Sequence, residues 1–160
     1  MNVCRVEIHN HQHEITFSFD EDAVCSLVET VLSCEGTTAD LVEIHFMSDS
    51  EMRHYHDVHF QDPSSTDCIS FPIDSEQIDD GPRVLGDILV CPKTALTYIQ
   101  QHGGSFQNEF ALYIVHGLLH LLGYDDIDDE QKKSMRSAEQ RSLDAFSAKF
   151  PNKAWICLQN

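Results

Sequence analysis

Two histidines, His116 and His120, stand four residues apart inside an apolar run. A helix has 3.6 residues per turn, so both imidazoles share one face, one turn apart. Gly123 follows, a residue suited to the left-handed position just past a helix end, where the chain turns sharply. Asp125 and Asp126 come next, and the turn can carry either carboxylate back toward the two rings. Two histidines and one carboxylate leave coordination positions open for water or substrate. That is the pattern of a catalytic rather than a structural metal site. A buried imidazole needs partners for its ring nitrogens, here a metal ion or else backbone and carboxylate groups, and the Gly and Asp that follow favour the metal. The spacing H-x3-H-x2-G-x2-D partly parallels the protease outline H-E-x-x-H-x-x-G-x-x-H. The glutamate after the first histidine serves those proteases as general base. Here that position is Gly117, so a metalloprotease is only a third reading.

The elements around this stretch follow from periodicity. Val3–His9 alternates apolar and polar residues and reads as a strand, as does the short run Ile15–Phe19. Asp20 suits an N-cap, and Val24, Leu27, Val28, Val31 and Leu32 form a helical stripe over about 21–33. Val42, Ile44 and Phe46 alternate in a further strand. Ser48–Glu51 has the capping-box pattern and opens a helix to about His59. Asp67–Phe71 is a short strand stopped by Pro72. Residues 74–82 are polar and read as a mobile loop or hairpin connection. Val84–Cys91 reads as a central strand, with Gly86 marking a close backbone approach. Pro92 opens a helix to about His102. Ser105 caps the next, which is apolar nearly all round and therefore buried. Asp128–Glu130 opens a last helix to about Phe150, and a short tail with Trp155 follows. The expectation is α+β: one domain over residues 1–160, a small mixed sheet of about four strands, and about five helices. The histidines sit at the C-terminal end of the buried one.

Ten basic against 27 acidic residues give a net charge of −17. Phosphate affinity comes mainly from Lys and Arg, so an autonomous nucleic-acid binder is disfavoured. Lys132, Lys133, Arg136, Arg141, Lys149 and Lys153 cluster near the C-terminus, and the last helix is the basic face to consider. No apolar stretch is long enough to span a membrane. The N-terminus lacks a signal-peptide layout, and six scattered cysteines read as reduced thiols, so the expected location is cytoplasmic. His9, His11 and His13 share a strand face if the first strand continues, and read as an exposed strand end. His54, His56 and His59 read as surface imidazoles.

The chain as a whole resembles the YbeY-type endoribonucleases, also called rRNA maturation factors. Their signature H-G-x-L-H-L-x-G-Y-D-H is met by His116, Gly117, Leu119, His120, Leu121, Gly123, Tyr124 and Asp125. Thr66–Pro72 is similar to the family's T-D-V-L-S-F-P segment, and Leu85–Ile88 to its L-G-D-I strand. Met135 and Glu139 fit the M-x3-E of its last helix. The resemblance implies a metal-dependent, single-strand-specific endoribonuclease acting in 16S rRNA 3′-end maturation and ribosome quality control. Its partners would be rRNA and the ribosomal small subunit or ribosomal proteins. It implies metal ligation by His116, His120 and Asp126, with Asp126 standing where most members carry a third histidine. Zn²⁺ is the implied ion, and the harder carboxylate ligand brings Ni, Mn or Fe into range. Asp125 is expected to orient a ligand from behind rather than bind. No catalytic residue beyond the ligands is assigned, and attack by water or by the ribose 2′-OH both stay open. The family arginine upstream of the T-D pair falls on Phe60. That departure and the acidic charge favour an alternative, a ribosome-assembly binding factor with a structural or weakly catalytic metal.

Overall fold

A computed structural model describes residues 3–73, 81–151 and 153–159. Strand β1 (Arg5–Asn10) and the short β2 (Phe17–Phe19) precede helix α1 (Glu21–Cys34). Strand β3 (Leu41–Phe46), helix α2 (Asp49–Phe60) and strands β4 (Cys68–Pro72) and β5 (Val84–Val90) follow. The chain ends with α3 (Pro92–His102), α4 (Phe106–Leu121), α5 (Asp129–Lys149) and β6 (Ile156–Leu158). The main sheet is mixed, in the order β1-β3-β5-β4. β1, β3 and β5 are parallel, and β4 runs antiparallel to β5 at the edge. The molecule is a small α+β domain, as the alternation of strand and helix periods leads one to expect. The stretch 74–80, most of the polar loop, lies outside the described residues.

Local chemistry sets the helix starts. Asp20 accepts from the backbone N–H groups of Asp22 and Ala23, and Ser48 from that of Glu51. Ser105 accepts from Asn108, and Asp128 forms a reciprocal capping box with Gln131. The stripe Val24, Leu27, Val28, Val31 and Leu32 is buried, as are Val42, Ile44 and Phe46 on the core face of β3. Helix α4 runs through the centre and buries Phe110, Ile114, Leu118 and Leu119 completely. Burying each such side chain is worth about 1.5–3 kcal/mol, so α4 is a rigid base for the residues at its end.

Two features depart from the sequence reading. The tail is not free: β6 pairs antiparallel with β2, placing Ile156 opposite Phe19. Gln107 of α4 accepts from the backbone N–H groups of Trp155 and Ile156. Three-residue strands carry too little periodicity to be seen alone; the partner and the Gln107 side chain define this one. Pro72 does not stop β4 but closes its ladder opposite Gly86. An edge strand tolerates a proline because one of its sides needs no hydrogen bonds. The close approach expected at Gly86 is real. Its φ is +135°, and a Cβ there would run into the backbone carbonyl of Phe71.

Candidate metal centre

The end of α4 is built as its sequence requires. Gly123 has φ +105°. Its N–H bonds the His120 carbonyl at 3.1 Å, and the Tyr124 N–H bonds the Leu119 carbonyl at 3.0 Å. This crossed pair is the Schellman arrangement, and it reverses the chain over the last turn. The reversal carries Asp126 Oδ2 to 3.6 Å from His116 Nε2 and 3.7 Å from His120 Nε2. The two Nε2 atoms lie 3.0 Å apart. His116, His120 and Asp126 are thus brought together as expected, all half-buried.

The other ring nitrogens reveal the protonation pattern. His116 Nδ1 faces Glu139 Oε1 at 3.1 Å, and His120 Nδ1 faces the Tyr124 carbonyl at 2.9 Å. Both partners only accept, so each Nδ1 carries the proton. In the neutral rings each Nε2 then holds a lone pair, and the two lone pairs converge beside a carboxylate. Such a donor set repels itself without a shared cation. Ligands about 2.0–2.2 Å from a tetrahedral Zn²⁺ stand ~3.3–3.5 Å apart, close to the separations found. The residues fit a divalent metal.

Glu139 and the Tyr124 carbonyl, not Asp125, stand behind the imidazoles. Asp125 lies on the wall of the adjoining cleft instead. Glu139 belongs to α5, whose packing on α4 alone brings it to His116. Tyr124 is held in turn: its hydroxyl donates to Glu35 Oε1 at 2.6 Å, and Arg141 binds the other Glu35 oxygen at 3.1 Å. Burial works against a charged His116, but the bond to Glu139 and the charges of Glu139, Asp67 and Asp126 outweigh it. The imidazole therefore holds a proton above the usual histidine value. Partners of this kind typically set metal affinity by 10–100-fold. Glu139→Gln is expected to weaken Zn²⁺ binding by about that factor with the helix content unchanged. Calorimetric titration reads it, and an unaltered affinity would remove Glu139 from this role.

The site opens into a cleft of about 510 Å³. His120, Asp125 and Asp126 form one wall, and Thr66, Cys68 and Ser70 another. His56, Phe60 and Ile127 line its rim. His56 is therefore not an indifferent surface imidazole, although nothing local in α2 distinguishes it from His54. Phe60, 57% exposed, presents its ring to the cleft at the position where the resemblance places an arginine. Cys68 is no ready nucleophile, since burial pushes its thiol far above the ordinary range, with Asp67 adding to the effect. Gly117 explains itself by packing. A Cβ there would lie 2.5 Å from Ile88 Cγ2 and 2.7 Å from Cys68 Sγ, so the sheet leaves no room for a protease glutamate. Ser70 Oγ donates to the Gly117 carbonyl at 2.8 Å and ties β4 to α4.

Sequence reasoning misses Glu139 as a partner of His116, although its M-x3-E spacing from Met135 singles it out. It also misses His45 and Glu43. On the far side of the sheet these gather with His9 into a second group of donor atoms, all within 4.8 Å of one another. His13 lies beyond the end of β1 and is exposed, so the three N-terminal histidines do not act as one face. All six cysteines are free thiols.

Fold and centre together define an α+β protein with a two-histidine, one-carboxylate site at the end of a buried helix. The family model for Endoribonuclease YbeY matches residues 7–147, and the chain belongs to that enzyme family. It is 39% identical over 140 residues to Endoribonuclease YbeY of Chlamydia muridarum, covering 87% of this chain and 86% of that one. It is 38% identical over 139 residues to the protein of the same name from Protochlamydia amoebophila, covering 86% and 90% of the two chains. The solution structure of a Thermotoga maritima protein superposes with a TM-score of 0.61 at 20% identity. It covers 94% of this chain and 100% of that one, a likeness of fold.

Proposed function

We propose that this chain is a metal-dependent endoribonuclease, one hydrolase domain over residues 1–160, acting on single-stranded RNA in 16S rRNA 3′-end maturation and ribosome quality control. The observation that carries this reading is the convergence of the two Nε2 atoms and Asp126 Oδ2 at the mouth of a nucleotide-sized cleft. His116, His120 and Asp126 would hold the ion, Zn²⁺ first, with Ni, Mn or Fe suited to the carboxylate. A bound divalent ion polarises a phosphoryl oxygen and makes water a nucleophile near neutral pH. Glu139 and the Tyr124 carbonyl keep both Nδ1 atoms protonated and both Nε2 atoms aimed at the site.

Specificity for single strands follows from shape. Bases splayed out of a helix stack on exposed rings, and Phe60 with Ile127 at the rim offers such a surface. His56 Nδ1 faces the Ser64 carbonyl at 3.0 Å, which leaves its Nε2 for a phosphate or base edge. Lys132, Lys133 and Arg136 are exposed on α5, and this basic stretch is the proposed contact for the strand. A net charge of −17 keeps affinity for naked RNA low, so delivery by the ribosomal small subunit or a ribosomal protein fits the electrostatics. No helix among the described residues is long and apolar enough to cross a membrane, and the proposed site of action is the cytoplasm.

Phe60 in the arginine position favours one competing reading, an assembly factor that binds without cutting. Metal-stripped protein is incubated with a 16S 3′-precursor fragment, single-stranded or annealed to its complement, before and after Zn²⁺ is restored. Cleavage confined to the single strand and to the metal-loaded protein is expected. Ribosome binding with no cleavage under any metal selects the assembly factor.

A further inference from the structure

The open face of the sheet carries two rows of side chains in register across its parallel strands. One row is Glu7 on β1, Glu43 on β3 and Asp87 on β5. The next is His9 on β1 and His45 on β3. Residues two apart along a strand share a face, so both rows project to the same side. Ile44 and Ile88 project to the other side, into the core below α4. Like charges directly opposite on neighbouring strands destabilise a sheet. Arg5 pairs with Glu7, but the partners of Glu43 and Asp87 are imidazoles: His9 Nε2 at 3.1 Å and His45 Nε2 at 3.0 Å. Three imidazoles stack here, with His9 and His11 ring centroids 4.8 and 5.2 Å from that of His45. His11 Nε2 lies 3.0 Å from His45 Nδ1. Beside them opens a hollow of about 370 Å³, lined by His11, His45, Glu51, Tyr55 and Asp87 among others.

The geometry points to a second metal site on this face, separate from the one at the end of α4, that takes a divalent transition ion through His9, Glu43 and His45. One donor atom from each lies within 4.8 Å of the others, and His9 Nε2 and Glu43 Oε1 are already near the separation of neighbouring ligands. Asp87 accepts from His45 Nε2–H, which fixes the ring and leaves the Nδ1 lone pair facing His11 Nε2 at 3.0 Å. A carboxylate behind a ligating histidine is the usual orienting device. His11 stands at the edge as a fourth donor. Imidazole with a single carboxylate suits zinc, copper and nickel rather than magnesium or calcium. The ion neutralises the carboxylate row and braces β1 to β3. It lies behind the sheet from the cleft and takes no part in RNA cleavage.

The test uses full-length protein without an affinity tag, stripped of metal and titrated with Zn²⁺ in excess Mg²⁺. Bound zinc is measured after gel filtration. His116→Ala/His120→Ala empties the α4 site and is expected to retain about one equivalent. Adding Glu43→Gln and His45→Gln is expected to remove it. In the otherwise unchanged chain, Glu43→Gln alone is expected to lose the second equivalent and leave RNA cleavage at the starting rate. Glu43→Gln keeps the side chain's size, so it reads the site even where the histidine variants fold poorly. Only trace zinc in His116→Ala/His120→Ala overturns the proposal. Displacement of the zinc by Mg²⁺ does the same, because a bare carboxylate row would then explain it.

Discussion

Replacing His120 by alanine is expected to abolish stable metal retention at the end of α4 and to slow RNA cleavage by about 10³-fold or more. Lewis-acid stabilisation of a phosphoryl transition state is worth several kcal/mol, and each ~1.4 kcal/mol is a factor of ten in rate. His120 supplies one of two imidazole donors, and Asp126, with 43% of its side chain exposed, cannot hold the ion with His116 alone. The fold should survive. The ring is half-buried at the helix end, and the lost bond to the Tyr124 carbonyl costs about 1 kcal/mol. Asp126→His, which places a third imidazole where the family signature implies one, should keep both metal and cleavage. Elemental analysis of the α4 site, in a Glu43→Gln background, and single-turnover cleavage read the two effects together. Undiminished cleavage by well-folded, metal-free His120→Ala would sink the metal mechanism.

Gly86→Ala is expected to be the most damaging small change elsewhere in the chain. Its φ of +135° lies where side chains are strained, at about 1–3 kcal/mol. The new methyl group meets the Phe71 carbonyl and approaches Pro72 Cα at 3.1 Å. Those are backbone atoms, so no rotamer change relieves the clash, and overpacking adds another ~1–3 kcal/mol. The sum is a large part of the ~5–15 kcal/mol that holds a typical domain together. β4 must part from β5, and with it go Cys68 and Ser70, which line the cleft. Urea unfolding should show a loss of unfolding free energy of that size together with weaker cleavage. A change below about 1 kcal/mol would mean that β4 does not press on Gly86 as described.

The sequence by itself determined whatever depends on neighbours within a turn or a strand. His116 and His120 share a face because they are four apart on a helix, and Gly123 returns the chain because only glycine takes that φ readily. Local spacing alone therefore makes Asp126 a candidate third member of the site. The same local rules locate Asp20, Ser48, Ser105 and Asp128 as caps, and Gly86 as a point of close approach. The resemblance to the YbeY family rests on this same stretch and its ordered companions.

Tertiary structure decided what depends on partners distant in sequence. Glu139 reaches His116 across 23 positions because α5 packs against α4, and no periodicity within α5 marks that glutamate from its neighbours. Asp125 is as well placed by distance along the chain, but the turn sends it to the cleft wall. His56 and Phe60 become cleft residues only once α2 lies beside β4. β6 exists because β2 and Gln107 receive it. The row of carboxylates and imidazoles on the open face appears only when β1, β3 and β5 are set in register. Local spacing fixes direction, but register and packing angle decide which side chains meet. Those are settled by burying the core as a whole, not by any single stretch of the chain.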